Sequence, residues 1–315
     1  MQIPDFSDIQ LAHKKIASYI HRTPVLTNKQ VDKRAGANVF FKCENFQKVG
    51  AFKFRGASNA VFSLPEKRVA RGIATHSSGN HAQAVALAAK IRGIPAYIVM
   101  PENAPAVKKR AVEGYGAEIR FCESTQKARE STLSEVVKET GATFIHPYDN
   151  SQIIAGQGTA ALELLDDYPD LDAILAPVGG GGLLSGTAIA AKTINKDIQV
   201  VGCEPEIADD AKRSFQSGTL QQVQRTDTIA DGLRTSLSER TFACIQKYVD
   251  EIVTVSEEQI LESMRFIWER MNIIIEASCA VPVAALFYQK IDLTDKNVGI
   301  IITGGNVDLD SLPWL

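Results

Sequence analysis

Residues 173–182 read Ala-Ile-Leu-Ala-Pro-Val-Gly-Gly-Gly-Gly. A short run that is almost wholly apolar, without polar alternation, is what a strand covered on both faces requires, and such strands belong to parallel sheets. The glycines then predict a turn from strand to helix, with the helix over residues 183–194. Backbone amides stripped of side chains at a helix start can close on an anion, and the helix end adds partial positive charge. An ordinary tight turn seldom needs four consecutive glycines. Neither G-x-G-x-x-G after a strand nor G-x-x-x-x-G-K-[ST] occurs, so the anion need not belong to a nucleotide.

Working outward, strands and helices alternate on both sides. Downstream, strands are predicted over residues 200–203, 252–255 and 298–302. Helices are predicted after Ser256, which with Gln259 forms a capping box, and over 280–290. Residues 217–238 are polar and poorly periodic, and read as a long excursion. Upstream, strands are predicted over 72–76, 97–100, 119–122 and 143–146. They alternate with helices over 82–92, 105–113 and 124–140, and a further helix runs through Ala160 and Leu165. Nearer the start lie a helix boxed by Ser7 and Gln10 with Ile9, Ala12, Ile16 and Ile20 at helical spacing, a strand over 39–43, and a short helix through Ala60 and Val61. Such alternation means βαβ units and parallel sheets. The expected fold is α/β, with two open twisted parallel-sheet domains. Residues 1–71 and 149–315 would form the larger, and 72–148 a smaller domain that closes on the substrate.

Composition agrees with a globular chain: 315 residues, 45% apolar, 23% charged, net charge −3. That balance points to neither nucleic acid nor an anionic membrane. The five cysteines (Cys43, Cys122, Cys203, Cys244 and Cys279) are far apart and odd in number, which suits reduced thiols in the cytoplasm. Asp5 and Asp8 argue against a signal peptide, and no stretch approaches a membrane span.

Ligands of open α/β sheets bind beyond the carboxyl ends of the strands. Three predicted loops sit there: residues 77–81, 179–182 and 303–306. The first reads Ser77-Ser78-Gly79-Asn80-His81 and gathers hydroxyls, an amide and an imidazole at a helix start. A carboxylate could be held by such donors, although a helix cap needs only one of them. A fourth loop holds Lys53 between Phe52 and Phe54. An ammonium among aromatic rings loses hydration, its pKa falls, and the free amine can attack a carbonyl. Taken alone, Lys53 reads sooner as a surface lysine whose stem covers apolar neighbours. A desolvated lysine, an anion cup and a carboxylate cradle together suggest pyridoxal phosphate acting on amino acids. Thr303 could meet the cofactor's ring nitrogen. A hydroxyl there, unlike an aspartate, would not keep that nitrogen protonated, which suits racemisation or β-elimination.

Phe52-Lys53-Phe54-Arg55-Gly56-Ala57, the 77–81 loop, Ala155-Gly156-Gln157-Gly158-Thr159, residues 177–182 and Gly304-Gly305-Asn306 resemble the fold-type II pyridoxal-phosphate enzymes. Within them the chain is similar to the serine racemase and serine/threonine dehydratase branch, over nearly its whole length. The resemblance implies that Lys53 is the Schiff-base lysine and the base on one face of the substrate. It places Phe52 and Asn80 beside the cofactor, Gly179, Gly180, Gly181 and Gly182 on its phosphate, and Thr303 on its ring nitrogen. Ser77, Asn80 and His81 would bind the substrate carboxylate. Ser78 stands where threonine dehydratases usually have alanine and racemases have serine, which implies an acid/base on the opposite face.

Glu204-Pro205-Glu206-Ile207-Ala208-Asp209-Asp210 could be an acidic helix start or a site for a hard divalent cation. The resemblance favours the cation, Mg²⁺ or alternatively Ca²⁺ or Mn²⁺, on Glu204, the Ala208 carbonyl and Asp210. Its implied activity is serine racemisation with accompanying dehydration to pyruvate and ammonia. The alternatives are dehydration of threonine or serine and ammonia loss from threo-3-hydroxyaspartate, for which Arg129 would meet a second carboxylate. Substrate choice stays open because Ala277-Ser278 replaces a common Pro-Thr, Thr303 a common serine, and Tyr148 an asparagine of animal racemases. The resemblance further implies a homodimer. ATP is an expected activator only in part: Lys48, Tyr115, Arg270 and Asn306 match that site of animal racemases, while Asn272 replaces a lysine.

Overall fold

The computed structural model describes residues 3–104 and 106–314, without the side chain of Val107. In chain order the strands are β1 (Val25–Leu26), β2 (Asn38–Cys43), β3 (Ile73–His76), β4 (Ala96–Pro101), β5 (Glu118–Cys122), β6 (Thr143–Phe144), β7 (Ala173–Pro177), β8 (Gln199–Pro205), β9 (Glu251–Val255) and β10 (Asn297–Ile302). One sheet has the order β1-β2-β10-β7-β8-β9, the other β5-β4-β3-β6. All pairs are parallel except β1 with β2, where Val25 lies opposite Lys42. The expected α/β architecture of two parallel sheets is present. All five residues of β7 are buried, between two separate apolar clusters on the faces of the larger sheet. Fully burying a side chain such as Ile174 or Leu175 stabilises by roughly 1.5–3 kcal/mol.

Local chemistry shifts several expected boundaries. Asp5, not Ser7, caps the first helix, Phe6–Ile16, in a reciprocal box with Asp8, and the Ser7 hydroxyl donates to Asp5 Oδ1 at 2.6 Å. A carboxylate is the stronger acceptor for helix-start amides, so the cap moves two residues upstream. Ile20 is buried, but in the turn beyond that helix. Strand β6 stops two residues before His146, whose Nδ1 accepts the backbone N–H of Tyr148 and Asp149 at 3.3 and 2.9 Å and turns the chain. The helix expected over 105–113 is Ala106–Gly114, and Pro105 lies outside the described residues. The helix expected over 280–290 is Ala277–Phe287, beginning directly after Glu276.

The helix Lys53–Ser63 bridges the two sheets. Phe54, Ala57, Ala60 and Val61 join an apolar cluster with Ile73, Ala82 and Ile98 of the smaller layer and Ile153 of the helix Ser151–Asp167. Its other contact is backbone to backbone. A Cβ on Gly156 would lie 2.6 Å from Gly56 Cα and 2.7 Å from Arg55 O, so only glycine permits the crossing. Two residues on, and on its other side, the helix Ser151–Asp167 meets Gly182–Ile194 through Gly158 and Gly186.

Beneath this crossing lies a buried charge quartet. Arg55 donates to both oxygens of Glu44, at 2.7 and 2.8 Å, and to both of Glu163, at 2.8 Å each. Lys42 Nζ completes it at 2.7 Å from Glu163 Oε2 and donates to Thr23 O at 2.8 Å. All four side chains are essentially inaccessible. Each charge is paired bidentately or twice bonded, as burial demands; removing one partner of such a pair costs roughly 3–5 kcal/mol.

Candidate active site

The loops after β3, β7 and β10 converge at the carboxyl ends of their strands, and the Lys53 helix starts among them. Phe52 N donates to Thr303 O at 2.9 Å, which fixes the lysine loop to the end of β10. Lys53 is half-buried; its Nζ lies 5.1 Å from the Phe52 ring centre and 3.4 Å from Pro147 O. Burial pulls its pKa down to about 8, opposed by the Glu276 carboxylate. A desolvated amine of this kind is a nucleophile near neutral pH.

Glu276, to which the sequence reading gave no role, stands at the centre. Asn80 Nδ2 donates to both its oxygens, at 3.2 and 3.0 Å, and Thr303 Oγ1 lies 3.5 Å from Oε1. It is 6% exposed. Burial, then the Asp231 charge, push its carboxyl up to about 7. Asn306 Nδ2 donates to Asn80 Oδ1 at 2.9 Å and to Val49 O at 2.7 Å, so one amide chain links three loops. Cys279, also unassigned from sequence, puts Sγ 3.2 Å from Thr303 Oγ1. A signal existed for Glu276, an acidic residue inside the apolar stretch 273–281, but nothing local said what it faced.

The 179–182 loop runs directly into the helix Gly182–Ile194. No hydrogen bond from its four amides to a protein acceptor is present among the described residues, and Gly181 has φ +81°. Its glycines also serve protein neighbours. A Cβ on Gly180 would fall 2.3 Å from the Tyr148 ring, and one on Gly179 3.0 Å from Gly232 O. Open amides at a helix start fit a phosphate, and the lysine, the Asn80 amide and the Thr303 hydroxyl fit the aldehyde, phenolic and nitrogen positions of pyridoxal phosphate.

In the 77–81 loop, Ser77 Oγ accepts Gly79 N at 3.3 Å, while Ser78 is half-buried. The His81 ring points inward: Nε2 is 3.3 Å from Ile145 O, and burial, then the Lys53 charge, hold the ring's pKa well below its ordinary value. The neutral ring therefore carries its hydrogen on Nε2, and the unsatisfied first-turn amides of Asn80–Arg92 remain as donors for a carboxylate. Arg129, on the helix Gln126–Thr140, is felt by His76 rather than by Lys53, and its Nε is buried without a hydrogen-bond partner.

Glu204, the next-to-last residue of β8, and Asp210, the first of the helix Asp210–Ser217, form a second cluster. Both are 1% exposed. Glu204 accepts Ala211 N at 3.1 Å and Lys212 N at 2.8 Å. Asp210 Oδ2 is buried with no partner. Burial, with the Asp210 charge next, raises the Glu204 pKa well above the ordinary range; burial first of all raises that of Asp210 to about 7. Two crowded buried carboxylates with an orphaned oxygen, and the Ala208 carbonyl in the same turn, fit a hard divalent cation. Among the described residues no group of three or more His, Cys, Asp or Glu side chains has metal-binding geometry, so backbone and water would complete the shell.

Comparison with known proteins agrees with this geometry. The profile of the family described as "Pyridoxal-phosphate dependent enzyme" matches residues 16–304. A serine racemase of Dictyostelium discoideum is 51% identical over 309 residues, 97% of this chain and 95% of that protein. A beta-hydroxyaspartate dehydratase of Paracoccus denitrificans is 47% identical over 314 residues, all of both chains. The crystal structure of the Dictyostelium racemase superposes with a TM-score of 0.93, covering 97% of this chain and 99% of that one.

Proposed function

This chain belongs to the pyridoxal-phosphate-dependent enzymes, and from that premise we propose that it interconverts L- and D-serine and, as a competing exit, converts serine to pyruvate and ammonia. The reading is carried by the pairing of a desolvated lysine, Lys53, with a serine, Ser78, on the substrate loop. Racemisation needs one group to take a proton and another to return one on the opposite face. Lys53 takes the α-proton of L-serine, and Ser78 returns one to give D-serine or starts the reverse reaction. The first-turn amides of Asn80–Arg92, with Ser77, hold the substrate carboxylate. Phe52, Asn80, Thr303 and the 179–182 amides hold the cofactor, which supplies a sink for the electron pair left at Cα. Elimination of water across Cα and Cβ of serine, followed by hydrolysis, would be the competing exit that releases pyruvate and ammonia.

In this reading residues 72–148 are the moving substrate domain and 1–71 with 149–315 the cofactor domain. Glu204, the Ala208 carbonyl and Asp210 hold Mg²⁺ or Ca²⁺, tying the end of β8 to the next helix. The enzyme is cytoplasmic, in keeping with five free buried cysteines. It is a homodimer, in keeping with half-exposed Phe46 and Ile274 on neighbouring segments. ATP activation has only partial support: Asn306 bonds Val49, next in the chain to Lys48, but its amide is already engaged there and by Asn80.

The test is a chiral product assay with L-serine, L-threonine and L-threo-3-hydroxyaspartate, with and without Mg²⁺. D-serine production that disappears in Ser78→Ala supports the reading; racemisation that survives in Ser78→Ala sinks the two-group scheme. A second reading, ammonia loss from hydroxyaspartate, is favoured by the unpartnered Arg129 Nε and by the Paracoccus relative. It is preferred if hydroxyaspartate turnover exceeds that of serine and falls selectively in Arg129→Met.

A further inference from the structure

We propose that Cys279 is a positioning residue: its thiol decides whether Thr303 offers a hydrogen or a lone pair to the ring nitrogen of bound pyridoxal phosphate. The inference rests on the proposed placement of that cofactor against Thr303. Cys279 is fully buried at the start of the helix Ala277–Phe287. Its Sγ takes the Gly304 amide at 3.2 Å, leaving one hydrogen to place. Two acceptors compete for that hydrogen, Gly304 O at 3.0 Å and Thr303 Oγ1 at 3.2 Å.

The two placements present opposite faces of Thr303. If S–H goes to Gly304 O, Thr303 can turn its own hydrogen onto sulfur, and only a lone pair faces the ring nitrogen. If S–H goes to Thr303 Oγ1, the hydroxyl hydrogen is free for an unprotonated nitrogen. Gly304 O already accepts Glu276 N at 3.0 Å, which reduces its need for a second donor and favours the latter placement. The competing acceptor for the Thr303 hydrogen, Glu276 Oε1 at 3.5 Å, is itself engaged by Asn80. The thiol stays protonated, because burial and then the Glu276 charge push its pKa far up, so the hydrogen is always there to be placed.

The test compares the holoenzymes of wild type, Cys279→Ala, Cys279→Val, Cys279→Ser and Thr303→Val. The readouts are the ratio of the long- to the short-wavelength band of the bound cofactor without substrate, and the pyridoxal phosphate Kd by equilibrium dialysis. Loss of one neutral hydrogen bond moves a two-state ratio roughly fivefold, so Cys279→Ala and Cys279→Val should shift the bands by that factor while Cys279→Ser stays within roughly twofold of wild type. Valine fills the site without a donor. A wild-type spectrum in Cys279→Val, or equal shifts in the serine and valine variants, means that sulfur only packs, and overturns the proposal. If Cys279→Ala does not fold, the serine–valine pair still decides. A Thr303→Val spectrum identical to wild type overturns the placement of Thr303 itself. A shifted Thr303→Val beside an unshifted Cys279→Val overturns only the role of Cys279.

Discussion

Asn80 Nδ2 donates to both carboxylate oxygens of Glu276, at 3.2 and 3.0 Å, and no other side chain ties the loop after β3 to the helix Ala277–Phe287 as directly among the described residues. A single neutral amide is a weak counterweight for a buried carboxylate. The arrangement therefore makes the site sensitive to whether Glu276 carries a proton.

The first prediction follows from that proton. Glu276 has a folded pKa of about 7 against an ordinary 4.5. A raised pKa contributes stability that is fully present below 4.5 and is lost as pH rises through 7. Glu276→Gln keeps an acceptor for Asn80 and never ionises. In urea unfolding of the cofactor-free protein, it should be more stable than wild type at pH 8, by up to about 3 kcal/mol, and close to wild type at pH 5. An equal difference at both pH values would argue that Glu276 is not buried as an acid.

Lys53 titrates in the opposite sense. With its pKa at about 8, the free amine fraction grows about tenfold from pH 7 to 9. The initial rate of pyridoxal phosphate uptake, followed by the visible band, should rise by that factor and level off above pH 9. A rate still climbing toward pH 11 would mark an ordinary solvated lysine. Because the folded pKa is depressed, wild-type stability should also rise between pH 8 and 10.5, a slope that Lys53→Met removes.

The paired carboxylates Glu204 and Asp210 predict a response to divalent cations. At a hundredfold excess over its Kd, a bound ion stabilises by about 2.7 kcal/mol. Mg²⁺ or Ca²⁺ should raise the Tm of wild type and leave that of Asp210→Asn unmoved. Without metal, the asparagine variant should melt above wild type, since one of two crowded charges is gone.

The crossing of Gly56 and Gly156 can be tested against an open control. Gly156→Ala forces the helices apart and should cost about 1–3 kcal/mol with a fall in kcat, since the displaced helix carries Lys53. Gly114→Ala, where nothing lies within 4 Å of the added methyl, should be neutral. Equal effects at both positions would mean that the close contact is not what matters.

Much of the architecture was legible because its signals are local. The apolar run at 173–178, the Ser256–Gln259 box and the glycines after the strands each speak for a few neighbouring residues, and each corresponds to an element in place. Strand β1 was missed because Val25–Leu26 is too short for any period and exists only by pairing with β2. Asp5 was missed as a cap because two candidate residues lay two positions apart. Glu276 and Cys279 were illegible for another reason: the groups that give them meaning, Asn80, Thr303 and Gly304, arrive from other strands. The burial of Lys53 was suggested by its aromatic neighbours, but its nearest charge was not.

The order of the larger sheet bears on how the molecule is made. Its centre joins β2 to β10, and β10 to β7, so a strand near residue 40 must wait for one near residue 300 before either is paired on both sides. The four strands of the smaller sheet lie within residues 73–144 and can assemble while synthesis continues. Arg55 meets Glu163 only across more than a hundred residues. During translation, then, the smaller layer is the early folder. The lysine loop is completed late, when β10 brings Thr303 to Phe52, so the cofactor site is among the last parts of the molecule to form.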